Sequence, residues 1–290
     1  PQAGGGGASL SDLVVVAEEA GAHIAPLPLV DHMVASRLLA TFNAAGDDVV
    51  SGTAVAGLAL RPAVGQVVRS VPSGAVAEVL VALEEDRLVA VRGGAPLESL
   101  PNHADLPLAH RSLNGSEVAA AGPEAVTAYA RAVDEWRTLT GSLLVGAART
   151  AVDLGVAYVT DRHQFGRPVG SFQAVQHGLA DLPGLCDGAR LLVAKAAWAG
   201  DRPGDGSIDI GDNEITDFAV LAAMALIFAG QAAVQATDRS LHYHGGYGFA
   251  EEYDIQLYYR KTRGWAQANG DPARECGRLA DLLLSDQGTA

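Results

Sequence analysis

Arg162, Gln164, Phe165, Gly166 and Gln173 stand close together in the stretch RHQFGRPVGSFQ, at a junction between helical repeats. A guanidinium offers a planar fork of N–H donors that matches phosphate oxygens, and glutamine amides can bond the edges of a heterocycle. Phe165 adds a face for stacking or packing. The same residues also suit a plain helix-to-helix turn whose polar groups cap exposed backbone, and both readings stand. A second cluster, LHYHGGYGFAEEY over 241–253, carries the adjacent Gly245 and Gly246 with Gly248. Glycines without Cβ let backbone N–H groups approach an anion closely. The cluster follows a helix rather than a strand, so it is neither a P-loop nor a dinucleotide fingerprint. A Gly-rich helix C-terminus is the alternative. His242 and His244 have the spacing of metal ligands, but no Cys or carboxylate completes a set. Hydrogen-bonding roles and no metal are expected.

The elements that must hold these clusters can be read from periodicity. Residues 9 to 43 predict helix, with Ser9 and Ser11 as caps and an interruption at Pro26 and Pro28. From about 49 to 115, TAVAGLAL, GQVVRSV, AEVLVALEEDRLVAV and LPLAHRSL predict short strands, with Glu84, Glu85 and Asp86 turning a hairpin. After Gly122 and Pro123 the spacing is helical again. Phe172, Val175, Leu179, Leu182, Cys186, Ala189 and Val193 form a three-four seam suited to a bundle, and Pro183-Gly184 should kink or split that helix. A Gly/Asp-rich loop over 200 to 213 precedes an apolar helix from about 214 to 241, and two shorter helices close the chain. The order is a helical segment (1–48), a small β domain (49–116) and a helical bundle (117–290): mainly α with a small β domain.

Composition bounds the function. The chain has 290 residues, 49% hydrophobic and 19% charged, with net charge −14 and an isoelectric point near 4.9. Nucleic acid and anionic membranes are unfavoured partners. The apolar run Phe218 to Ala229 is itself too short to cross a bilayer. Two cysteines without metal spacing fit a reducing cytoplasm. No signal-type segment opens the chain, which starts at Pro1, and a start further upstream is expected.

The two clusters together carry a resemblance. YVTDRHQFGRPVGSFQAVQHGLADL (158–182) followed by HGGYGFAEEYDIQLYYRKTR (244–263) resembles the C-terminal bundle of flavin-dependent acyl-CoA dehydrogenases, and LVVVAEEAGAHIAPLPL (13–29) is similar to an N-terminal-domain helix of actinobacterial members. The resemblance implies N-terminal helices, a middle β-barrel-like unit and a C-terminal four-helix bundle. It further implies FAD across a subunit interface. Arg162 would pair with the pyrophosphate, Phe165 would pack on the cofactor, Gln173 would hydrogen-bond it, and Gln164 and Gly166 would belong to the same cofactor-binding turn. Gly245 and Gly246 would offer backbone, and His242 stands where many members have Gln.

The family reaction needs a carboxylate base within reach of a Cα proton. Counting twenty-three residues from Gly246, the spacing the resemblance implies, reaches Asn269. Asn cannot accept a proton at neutral pH. Asp271 lies two positions on, and Glu135 sits one residue out of register with an alternative base position, about 100° away on its helix. A solvated helix carboxylate is the other reading of Glu135. The β stretch LRPAVGQVV lacks the family's flavin-touching elements, and no Trp lies between 49 and 115. These losses resemble the reduced β-type subunit of α2β2 heterotetrameric steroid-CoA dehydrogenases, whose α-type partner supplies the base and most of the acyl-CoA site. A self-sufficient homo-oligomer using Asp271 or Glu135, and a non-catalytic scaffold without flavin, remain alternatives.

Overall fold

The computed structural model describes residues 6–202, 208–209 and 214–285. Helices α1 (Leu10–Ala22) and α2 (Leu29–Thr41) flank the break at Pro26 and Pro28. A short α3 (Asp47–Val50) leads to seven strands: β1 (Ala56–Leu58), β2 (Val67–Val71), β3 (Val79–Glu84), β4 (Arg87–Arg92), β5 (Glu98–Ser99), β6 (Ala109–Ser112) and β7 (Glu117–Ala121). The long α4 (Pro123–Asp161) follows, then a miniature hairpin of β8 (His163–Gln164) and β9 (Arg167–Pro168). Helices α5 (Gln173–Ala180), α6 (Leu182–Gly200), α7 (Phe218–Tyr243), α8 (Ile255–Gln267) and α9 (Pro272–Ser285) complete the order. The loop expected over 200 to 213 falls largely outside the described residues.

The chain forms two compact units. One holds α2, α3, the strands and α4 through Trp136; the other holds α1 and everything from Arg137 onward. The expected N-terminal helical segment is thus divided between them.

In the first unit, one sheet runs β1-β3-β4-β7 and the other β2-β6-β5. Val68, Val71, Leu80, Ala82, Val89, Val91 and Leu113 join in one core drawn from both sheets. The β3–β4 hairpin turns at the expected acidic residues, with Glu85 left-handed (φ 56°). Strand β7 pairs with β4 and carries the β region to Ala121, past the expected end at 116. Arg111 is only 2% exposed. Its Nη1 donates to the carbonyls of Gly74 (2.9 Å) and Ala77 (2.8 Å), and its Nη2 to that of Gly93 (2.8 Å).

Asp31 of α2 is buried, and Trp136 Nε1 donates to its carboxylate at 2.9 Å. Burial pushes its pKa from 3.8 up to about 7, against the opposing pull of the Trp136 and backbone hydrogen bonds. A carboxyl whose pKa rises on folding binds its proton more tightly in the folded state, so stability falls as pH rises from 3.8 through 7. Asp31→Asn is therefore expected to stabilise the protein increasingly from pH 5 to pH 8, by about 2–3 kcal/mol at the upper end. Thermal melts of both forms across that range test it; a constant difference in Tm would contradict the burial argument.

In the helical unit, α5 and α6 break at Asp181, just ahead of Pro183, so the expected seam is split rather than kinked. Leu179, Leu182, Cys186, Ala189 and Val193 of that seam are buried. Helix α1 crosses α4 at two glycines: a methyl built on Gly21 would overlap the Leu143 carbonyl, and one on Gly146 the Glu18 carbonyl. Ser142 Oγ donates to the Val14 carbonyl at 2.6 Å, and Glu18 accepts from Arg149 (2.8 Å) and Arg190 (2.9 Å). Where Ser9 and Ser11 were expected as local caps, the carboxylate of Asp201 receives the N–H groups of Leu10 (2.7 Å) and Ser11 (3.0 Å) and the Ser11 hydroxyl (2.6 Å).

The apolar run at Phe218 extends into the 26-residue α7, so the sequence-based length argument against a membrane span does not hold. By length and composition α4 and α7 could both cross a bilayer, but 56% of each apolar window is buried inside the protein, as in core helices.

Candidate functional site

Both sequence clusters lie in the helical unit. Helix α4 stops at Asp161, and β8 and β9 pair His163 with Pro168 and Gln164 with Arg167. Phe165 (φ 56°) and Gly166 (φ 79°) form the tip. Two left-handed residues match the right-handed twist of a two-residue hairpin, and a phenylalanine is uncommon in that conformation. Its ring is 91% exposed. The Arg162 carbonyl accepts from Val169 N at 2.7 Å, closing the turn. Phe172 braces it, meeting the Phe165 ring edge-on at 6.1 Å and carrying the Arg167 guanidinium 4.0 Å above its own ring.

The glycine segment begins where α7 ends, as a tight 3-10 turn over Gly245–Phe249. Gly245 is left-handed (φ 61°), and a methyl on Gly245 or Gly246 would meet no atom within 4 Å, so both backbones face open space. The Arg162 guanidinium lies 5.1 Å from the Tyr247 ring centroid. That contact brings the hairpin cluster and the glycine cluster to one place. Gln164, Phe165, Gly166, Gln173, His242, Gly245 and Gly246 are all exposed. Gln164 Nε2 donates to the neighbouring His163 carbonyl at 2.6 Å, Gln173 opens α5, and the His242 ring meets Tyr243 edge-on.

Sequence reasoning missed the aromatic groups beneath. Tyr158 and His244 stack at 4.0 Å, and Tyr253 meets both rings edge-on at 6.0 Å. His244 is 6% exposed. Its Nδ1–H donates to the Ser240 carbonyl at 2.7 Å, and its own carbonyl accepts from the Tyr158 hydroxyl at 3.2 Å. Burial pulls the His244 pKa down, with the Ser240 carbonyl opposing; burial likewise raises that of Tyr158. In the sequence, Leu144, Ala148, Ala151, Leu154, Gly155 and Tyr158 fall on one face of a helix, an apolar stripe that was the one signal pointing to Tyr158.

The candidate bases are all engaged elsewhere. Asn269 Nδ2 donates to Glu275 Oε1 at 2.7 Å, and Glu275 also takes a two-point grip from Arg137 (3.0 and 3.1 Å) and a contact from Arg278 (3.4 Å). Burial raises the Glu275 pKa, but Arg137 and then Arg278 outweigh it and hold the carboxyl below its ordinary value. Asp271 is exposed and accepts the Ala273 N–H at 3.0 Å, an N-cap for α9. Glu135 is 7% exposed, which corrects the reading of a solvated carboxylate. Arg37 Nε donates to it at 3.0 Å and Arg131 Nε lies 3.6 Å away. Among the described residues no group of three or more His, Cys, Asp or Glu could hold a metal ion.

Residues 126–284 match the family model for the acyl-CoA dehydrogenase C-terminal domain. The chain is 30% identical over 283 residues to acyl-CoA dehydrogenase IpdE2 of Mycolicibacterium smegmatis, covering 95% of this chain and 80% of that protein. It is also 30% identical over 284 residues to the IpdE2 of Mycobacterium tuberculosis, covering 95% and 79%. Among solved structures, the Tcur3481-Tcur3483 steroid ACAD superposes with a TM-score of 0.83 at 26% identity, over 100% of this chain and 85% of that one. The ChsE4-ChsE5 complex from Mycobacterium tuberculosis shares the fold, with a TM-score of 0.79 at 22% identity over 97% and 83%. A matched C-terminal domain, a relative aligned along nearly the whole chain and a fold shared from end to end lead to one conclusion: the chain belongs to the acyl-CoA dehydrogenase family.

Proposed function

We propose that this chain is the base-lacking, β-type subunit of a heteromeric FAD-dependent acyl-CoA dehydrogenase. The observation that carries the reading is the Arg162–Tyr247 contact: it gathers a guanidinium, exposed amides and open glycine backbone into one donor-rich surface. Such a set fits an anionic dinucleotide, because every polar group it presents can donate a hydrogen bond. Arg162 would pair with the pyrophosphate, and Phe165 would pack on the cofactor. Gln164, Gln173 and His242 would hydrogen-bond it, Gly166 permits the hairpin tip, and Gly245 and Gly246 would present backbone N–H groups. The chemistry a bound FAD would supply is acceptance of the hydride that leaves the acyl-CoA.

Among the described residues, none of the three candidate positions offers an unengaged carboxylate to take the accompanying proton. Asn269 is an amide, Asp271 caps a helix and Glu135 is held by arginines. The base then comes from an α-type homologue in an α2β2 assembly. Two neighbours support this, one bearing a two-member name and the other described as a complex, and the first is described as a steroid ACAD, which favours a bulky acyl-CoA bound mainly on the partner. The reduced β domain, from residue 49 to the start of the bundle, leaves room for that substrate. A cytoplasmic setting suits the free thiols Cys186 and Cys276.

The test is the visible spectrum of this chain co-purified with its partner subunit, with flavin counted per polypeptide. Fewer flavins than subunits are expected. One FAD for each subunit overturns the base-lacking assignment, and a colourless complex favours the scaffold reading. Asn269→Glu is expected not to restore a base but to set a second carboxylate against Glu275, lowering stability by about 1–3 kcal/mol at pH 7 and less at pH 4, where one carboxyl holds a proton, as read by thermal melts. Turnover by the isolated variant would sink this account.

A further inference from the structure

Resting on the FAD reading above, we infer that the Tyr158–His244 stack positions the Gly245–Gly246 backbone and makes dinucleotide binding acid-sensitive, neutral His244 holding the pair in its binding shape and protonated His244 releasing it. His244 immediately precedes the pair, so the direction of its backbone sets where the glycine N–H groups point. Three contacts fix that residue. Its ring lies flat on Tyr158 at 4.0 Å, its Nδ1–H is tied to the Ser240 carbonyl at 2.7 Å, and its own carbonyl is held by the Tyr158 hydroxyl at 3.2 Å. No atom stands within 4 Å of where a Cβ on Gly245 or Gly246 would lie, so the pair packs no side chain of its own and leans on the residues that flank it, His244 before and the buried Gly248 after.

The chemistry of the ring decides the sign. Nδ1 already carries a hydrogen in the bond to Ser240, so a second proton must go to Nε2, on a ring almost wholly removed from water. A charge there is costly without a partner. The charged and titratable groups that face the stack offer none: Tyr158 and Arg162 come from α4 and its end, and Tyr247 and Tyr253 from the segment after the glycines. Arg162 is itself a cation and can offer no compensating charge. Burial already holds the His244 pKa below its ordinary value. Protonation is relieved by swinging the ring into water, which opens the stack and frees the glycine turn.

FAD affinity of the apo complex with its partner subunit, read by flavin fluorescence from pH 8 to pH 5.5, tests the inference. Binding is expected to weaken with acid, by up to about tenfold per pH unit once below the His244 pKa. His244→Phe, which can stack but cannot titrate, should flatten the profile, and His244→Ala should weaken binding at every pH. His242 is exposed beside the same segment, so His242→Gln serves as the control, and its profile must keep the acid limb. Near-UV circular dichroism of the tyrosines should follow the same acid transition in the wild type and lose it in His244→Phe, without any flavin present. A flat wild-type profile, an acid limb that survives in His244→Phe, or tighter binding in acid overturns this inference alone. No FAD binding at pH 8 overturns the cofactor reading and this inference together.

Discussion

Arg162→Ala is expected to strip the complex of flavin while leaving it folded. The guanidinium is a full positive charge brought beside the glycine segment, 5.1 Å from the Tyr247 ring centroid. A two-point charge-assisted pairing with a pyrophosphate is worth about 3 kcal/mol, so FAD affinity should fall by more than about a hundredfold. The chain as a whole carries −14, which repels an anionic ligand and leaves no general attraction to compensate. Arg162→Lys should recover only part of the loss, because a point charge cannot reproduce the planar fork. Flavin absorbance per polypeptide after gel filtration, with circular dichroism as the control for folding, gives the readout. An alanine variant that stays yellow at wild-type stoichiometry would remove the reason for calling this surface a cofactor site.

The second large effect is on folding. Gly146→Ala at an ordinary helix position would gain up to about 1 kcal/mol in helix propensity. Here the added methyl runs into the Glu18 carbonyl, and helix backbone cannot yield as a side chain does. Helix α1 must lift away, which strains the Ser142 bond to Val14 and the bridges from Glu18 to Arg149 and Arg190. A loss of about 4 kcal/mol or more is expected, a fall of about 10 °C or more in Tm. Gly21→Ala meets the other side of the same crossing, and the double variant should cost little more than either single one, since the crossing is lost only once. A Tm for Gly146→Ala at or above the wild type would mean that α1 does not approach α4 this closely.

These two examples also show what the sequence could disclose. Pro26, Pro28, Pro183 and the acidic turn at Glu85 act on their own neighbourhoods, so the breaks they impose are readable without knowing the fold. Strand β7 escaped because Glu117–Ala121 is mostly alanine with Val118 turned outward, and its pairing with β4 comes from a partner thirty residues earlier in the chain. The placement of α1 rests on Gly21 and Gly146 meeting across the fold, for which neither has a local signature. In the site, Arg162 and the glycine pair were legible as types suited to phosphate. The stack under them was not, because Tyr158 reads as one more member of an apolar stripe and His244 as one of a histidine pair. Glu135 was misjudged for the same reason: its partner Arg37 lies 98 residues away, and helical register alone says nothing of what another helix brings to that face.

Arg111 has a consequence for how the β region can change over time. Its guanidinium is clasped by main-chain oxygens from residues 74, 77 and 93, so its hold depends on the course of the chain and on no particular side chain opposite. Neighbouring residues in those loops are free to drift in identity as long as the loops keep their path, whereas a lysine at 111 would strand at least one oxygen in a dry interior. Nothing in the clasp gains or loses a proton in the range where carboxylates do. Acid strong enough to discharge Glu275 leaves this knot tied.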